Sequence, residues 1–130
     1  MIDASVEMRS DHTKVDFVAE GDSPDEWKLV LVEEGPWDEP LDVALRRIQD
    51  RLYGCIDAAL DGQVAESFPK SRGKKIIVQL DCYNVPKPDV ADFFERFSAA
   101  VFAVEDYRLA LEQSQFVSDI GFHLNFDSIH

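Results

Sequence analysis

Basic side chains are scarce in this sequence: 13 Lys and Arg stand against 26 Asp and Glu, a formal net charge of −13. Nucleic-acid backbones are gripped by clustered Lys and Arg, so this balance excludes nucleic acid as the main partner, and an anionic membrane surface with it. Cysteine is nearly missing. Cys55 and Cys82 are the only two, and without a nearby His pair they cannot form a structural zinc site, so both read as small buried apolar residues. No apolar run approaches membrane-spanning length, and the opening MIDASVEMRSDH has no hydrophobic region. A secretory leader is therefore not expected, and the cytoplasm is the expected compartment. Internal repeats and low-complexity tracts are absent. So are catalytic and nucleotide-binding motifs, and no cofactor, metal or catalytic residue is assigned. The segment GDSPDE lacks the alternating Asp/Asn pattern of a calcium loop, and KSRGKK has one glycine and no strand-loop-helix context for a phosphate cradle.

What is present is a foldable chain. Its 130 residues are 45% hydrophobic and include nine Phe, enough for a core without disulfides or metal. Residues 1–13 read as a loose leader and 14–130 as a single domain. The stretch WDEPLDVALRRIQDRLYGCIDAALDG, Trp37 to Gly62, has the punctuation of a whole helix. Asp38 or Glu39 can cap its start, Pro40 is tolerated in a first turn, and Gly62 suits a left-handed stop. Leu41, Leu45, Ile48, Leu52, Cys55/Ile56 and Ala59/Leu60 give one apolar stripe. Arg46 stands four residues from both Asp42 and Asp50, pairs worth about 0.2–0.5 kcal/mol each. Such an element is roughly 35 Å long and needs a sheet to lie on. Gly54 in its middle costs on the order of 1 kcal/mol, which calls for tight packing at that point.

Before the helix, Lys14–Glu20 and Trp27–Glu33 alternate around a Gly/Pro/Asp turn and read as a hairpin, the second strand apolar on both sides and so inside the sheet. After it, residues 63–75 read as a loop holding the chain's only basic concentration. Residues 75–83 are the clearest strand. Pro88-Asp89 opens a second helix with the stripe Val90, Phe93/Phe94, Phe97, Val101 and Val104. Residues 105–117 fit either state and lean to helix on Gln, Glu and Leu content. Ile120–Phe126 alternates as a last strand. The order β-β-α-β-α-β, with right-handed crossovers, predicts a two-layer α+β domain: a four-stranded mixed sheet with two long helices on one face.

Alternation also sorts the candidate chemistry. Ile76, Val78, Leu80 and Cys82 share one strand face, and Gln79, Asp81 and Tyr83 the other. In the last strand His123 and Asn125 point away from the apolar set. A Cys82–His123 nucleophile pair is therefore excluded, since the two lie on opposite sides of the sheet. Gln79, Asp81, Tyr83, His123 and Asn125 gather instead on the face opposite the helices, as a solvated side or a binding face. Lys70, Arg72, Lys74 and Lys75 form a basic turn, as solvent-exposed charge or a docking loop for a carboxylate or phosphate. The acids around Trp37 in EEGPWDEP read as a solvated helix entrance.

The VDF-type opening strand, the Trp37-Asp38 helix entrance, Ile48-Gln49-x-x-Leu52, Gly62-Gln63, Phe68-Pro69 with Gly73, and the closing GFHLNF together resemble a family of small bacterial proteins known only as a domain of unknown function. The resemblance spans roughly residues 14–126. It implies an α+β fold and a bacterial cytoplasmic setting, and it carries no activity. Two functions fit the residues. The first is a non-enzymatic acidic interaction or regulatory module with a protein partner, the sharper expectation being a basic one. The second is a small-ligand binder or enzyme built on Asp81 and His123. A weak, salt-responsive homodimer is also expected, through the edge of the first hairpin or the face carrying Tyr83 and His123.

Overall fold

The computed structural model describes residues 6–7 and 14–126. Alternating residues build the strands. β1 (Val6–Glu7) and β2 (Lys14–Val15) form a short antiparallel ribbon. β3 (Phe17–Glu20), β4 (Glu26–Glu34), β5 (Lys74–Tyr83) and β6 (Val117–Phe126) form a four-stranded sheet in sequence order. β3 and β4 are antiparallel, while β4, β5 and β6 run parallel, so the sheet is mixed. Apart from Val6 and Glu7, the leader expected over 1–13 lies outside the described residues. The first strand differs from its expected form. Asp16 interrupts it because its carboxylate turns aside to accept the Val32 amide at 2.7 Å and Arg51 Nη2 at 3.0 Å.

The helices are α1 (Leu41–Leu60), α2 (Gln63–Ser67), α3 (Lys87–Ala100) and α4 (Glu105–Gln113). Pro40 stands at the start of α1, and no side chain caps it; the expected cap residue Glu39 binds Arg47 instead. Gly62 does adopt the left-handed conformation, with φ +96°. A Cβ there would also press to 2.9 Å from the Phe116 ring, so two constraints demand glycine. The chain then enters α2 and a 3-10 turn, Pro69–Ser71, where a loop was expected. Asp61 drives this by accepting both the Gln63 amide at 3.1 Å and its side-chain nitrogen at 2.8 Å. Residues 105–113 are helical as composition indicated, and β6 begins three residues earlier than alternation alone showed.

β4–α1–β5 and β5–α3–α4–β6 are parallel crossovers stepping in one direction across the sheet, and equal handedness puts both long helices on one face. The core fills the layer between. Leu29, Val78 and Phe122 share a row, as do Leu31, Leu80 and Leu124. Ile48, Leu52, Cys55 and Ile56 of α1, and Val90, Phe94 and Phe97 of α3, meet those rows. Each fully buried aliphatic contributes roughly 1.5–3 kcal/mol. Gly54 is buried within α1. The helical stripe needs two corrections at its ends. Leu41 is 38% exposed and Val104 50%, because the first lies beyond the sheet's rim and the second falls between a 3-10 turn and α4. The expected Asp42–Arg46 and Arg46–Asp50 pairs do not form among the described ion pairs, since all three side chains point to solvent.

Candidate functional site

The sheet face away from the helices holds the five residues singled out by alternation. Strand register sets Gln79 beside His123 and Asp81 beside Asn125. Asp81 Oδ1 accepts from Gln79 Nε2 and from Asn125 Nδ2, each at 3.0 Å. The carboxylate is thereby engaged by two amides rather than by the exposed His123, and no acid–base pair forms between Asp81 and His123. Tyr83 is half-buried beside Glu34. Cys82 shares the opposite, core face with Phe126, and both cysteines are buried thiols outside any disulfide. Burial pushes the Cys55 thiol up to about 12, which keeps it protonated and unreactive. Gln79 is 8% exposed, and its Oε1 has no donor among the described residues.

The four basic turn residues diverge. The Arg72 guanidinium lies 4.9 Å over the Phe116 ring. Lys74 Nζ stands 3.6 Å from the exposed Asp25 carboxylate. The Lys75 stem leans over Gly121 of β6. Lys70 and Lys74 share a hollow of about 550 Å³ with Glu20, Asp22 and Trp27, where two ammonium groups beside two carboxylates leave no net positive charge for an anion.

A third region escaped sequence reasoning. The C-terminal ends of β4 and β5, where parallel sheets place their ligand sites, carry a buried charge network beside an apolar cup. Glu33 alternates onto the core face of β4 and is 4% exposed. Arg47 Nη1 donates to both its oxygens at 2.6 Å, and Arg51 Nη1 to Oε2 at 2.8 Å and to the Val32 carbonyl at 3.0 Å. Arg51 also reaches Asp16, and Arg47 Nη2 reaches Glu39 at 2.8 Å. Hydrogen bonds donated to Glu39 and Glu33 hold the Arg47 pKa above its ordinary value. A buried carboxylate is tolerated only with such partners, and here they come from the one helix that crosses over β4. Arg47 and Arg51 are four residues apart on α1, a spacing that signals a shared face, but nothing local says that face meets a carboxylate.

The cup is held open by this frame. Pro36, Trp37, Glu39, Leu41, Asn84, Val85 and Pro86 enclose about 380 Å³. The Arg47 guanidinium lies 5.8 Å from the Trp37 ring centroid and steadies it. Trp37 Nε1 is out of solvent and has no acceptor among the described residues. The two walls meet closely: Gly35 N–H donates to the Tyr83 carbonyl at 2.7 Å, and a Cβ on Gly35 would collide with the Asn84 carbonyl oxygen. Among the described residues no group of three His, Cys, Asp or Glu side chains could hold a metal ion, and no helix is long and apolar enough to cross a membrane. A family model, that of a family of unknown function (DUF6572), matches residues 8–124. No curated protein and no solved structure matches.

Proposed function

The chain belongs to DUF6572, a family of unknown function that brings no activity with it, and we propose that it is a non-enzymatic interaction module of the cytoplasm that engages a basic protein partner at the strand-end cup. The observation that carries this reading is an apolar centre set in carboxylates. Trp37, Leu41 and Val85 with two prolines line the cup, and the segment Glu33–Asp42, which has no Lys or Arg, supplies the exposed Glu34, Asp38 and Asp42. An apolar anchor inside a polar rim is the anatomy of a protein contact. A Lys or Arg side chain suits it, laying an aliphatic stem on the Trp ring while its charge meets the rim. The overall charge of −13 steers the same class of partner by long-range attraction. A second reading, small-ligand binding on the sheet face, is supported by Gln79 Oε1, a buried acceptor that a ligand donor would satisfy.

The test is quantitative affinity capture from cells that make the protein, using wild type, a cup variant (Leu41→Glu with Val85→Glu) and a sheet-face variant (Tyr83→Glu). Leu41 is 38% exposed and Val85 half-buried, so the fold is spared. The expected result is a basic protein held by wild type and by Tyr83→Glu and lost with the cup variant. A partner lost only with Tyr83→Glu moves the function to the sheet face, and a partner indifferent to both overturns the assignment.

A further inference from the structure

Strand β6 closes one side of the sheet, and what it presents there differs from every other edge. It spans ten residues and, among the described residues, is bordered by β5 alone. No hydrogen bond from another described element reaches its backbone. The opposite border strand, β3, is only four residues long, and proteins shorten, charge or kink their edges to prevent pairing. β6 has such protection only at its start, where the register shifts between Val117 and Asp119; beyond it the strand has no Lys, Arg or Pro, and Asp119 is its one acid. In a chain that is 30% charged, this border repels a second copy least. Phe122, Leu124 and Phe126 also face the core layer yet remain only partly buried, because the sheet ends beside them.

We propose that β6 pairs antiparallel with β6 of a second copy about a two-fold axis perpendicular to the sheet, joining the two sheets into one with the helices of both copies on the same face. Directly opposed residues in an antiparallel pair point to one face, so this symmetry puts the axis on a residue and never between two. Placing it on Gly121 pairs residues 119–123 of both copies within the regular part of the strand, past the shift between Val117 and Asp119. Ile120 then meets the partner's Phe122 on the core face, and Asp119 meets the partner's His123 on the other, twice by symmetry. A histidine can donate to a carboxylate in either charge state. Asp119 and His123 are exposed, and their in-chain neighbours across the ladder are Lys75 and Gln79, which leave the outward contact unopposed. An axis on Phe122 would set Asp119 against Asn125, and one on His123 would set the two imidazoles together and leave Asp119 unmatched. The interface is separate from the cup, so it stands or falls independently of the function proposed above.

Sedimentation velocity of the full chain over a wide concentration range tests this. Wild type shifts from monomer to dimer mass as concentration rises. Asp119→Lys weakens the dimer about tenfold, because two attractive cross-strand contacts become repulsive, although it also sets a second cation beside Lys75 in the ladder. Asp119→Lys combined with His123→Glu restores dimerisation by exchanging the two signs. If Asp119→Lys lowers the thermal midpoint of the dilute monomer, His123→Asp supplies the same repulsion from the other side. A monomer at every concentration overturns the proposal, as does a dimer indifferent to either single charge change, or a sign-exchanged pair no better than its parent.

Discussion

Stripping Glu33 of both guanidiniums is the perturbation that most directly probes what holds α1 to the sheet. Glu33 is 4% exposed and receives Arg47 in a two-oxygen grip and Arg51 at 2.8 Å. Arg47→Met leaves Arg51 in place, and Arg51→Met leaves Arg47, so each alone costs about 1.5–2 kcal/mol, the low end for a hydrogen bond to a charged group. The double variant strands an ionised carboxylate in the core layer and costs about 4–5 kcal/mol. Loss beyond the sum is therefore about 1 kcal/mol, a coupling typical of one shared network. At a urea slope of roughly 2 kcal/mol per molar, the double variant unfolds about 2 M earlier. Urea titration followed by circular dichroism reads all of these. Adding Glu33→Leu to the double variant removes the stranded charge and recovers about half the loss. Additive single and double losses, with no recovery on Glu33→Leu, would refute the reasoning, because they would mean that Glu33 is solvated in the native state.

Leu52 is fully buried at the centre of α1, and Leu52→Ala lowers stability by about 2–5 kcal/mol through lost burial and a cavity; an unchanged urea midpoint would place that stripe away from the core. For Cys55 the thiol is raised by burial from 9.0 to about 12, so the folded state keeps a proton that the unfolded state releases. Its contribution is intact below about pH 9 and erodes as pH climbs toward 12. The stability gap between wild type and Cys55→Ala thus narrows in alkaline buffer, and a thiol reagent labels both cysteines only at the unfolding rate. Rapid labelling of the native protein would contradict that burial.

Much of the architecture was legible along the chain because its signals are periodic and local. The two-residue period of 75–83 and 120–126 placed Cys82 and His123 on opposite faces before any coordinates, and the register bears this out. The three-to-four residue period of 41–60 located Ile48, Leu52 and Cys55 on the buried side. Where local signals competed, reading was poorer. A glycine with a left-handed φ looks the same whether it stops a helix or turns it into another, and only Asp61 folding back on Gln63 decided for α2. Asp16 reads as the polar residue of a strand, yet a donor 35 positions away in sequence bends it out of the ladder.

The candidate sites divide along the same physical boundary. Which side chains share a strand face is set by the pleat, so Gln79, Asp81 and Tyr83 could be grouped from sequence, and His123 with Asn125. Which of them bond depends on lateral register, a one-residue matter that no local pattern carries; it gave Asp81 to Asn125 and left His123 beside Gln79. The cup and its charge network lie further still from sequence. Glu33 in a run of acids looks solvated, and Arg47 and Arg51 look like the polar side of a helix, until a parallel crossover lays α1 over the end of β4. The sequence by itself determined the strands, the long helices, the buried stripe and the negative charge, because each rests on neighbours within a few residues. Only the tertiary structure decided that Glu33 is buried and paired, that Trp37 walls a cup, and that β6 has a single strand neighbour among the described residues, because those depend on which distant segments come to lie side by side.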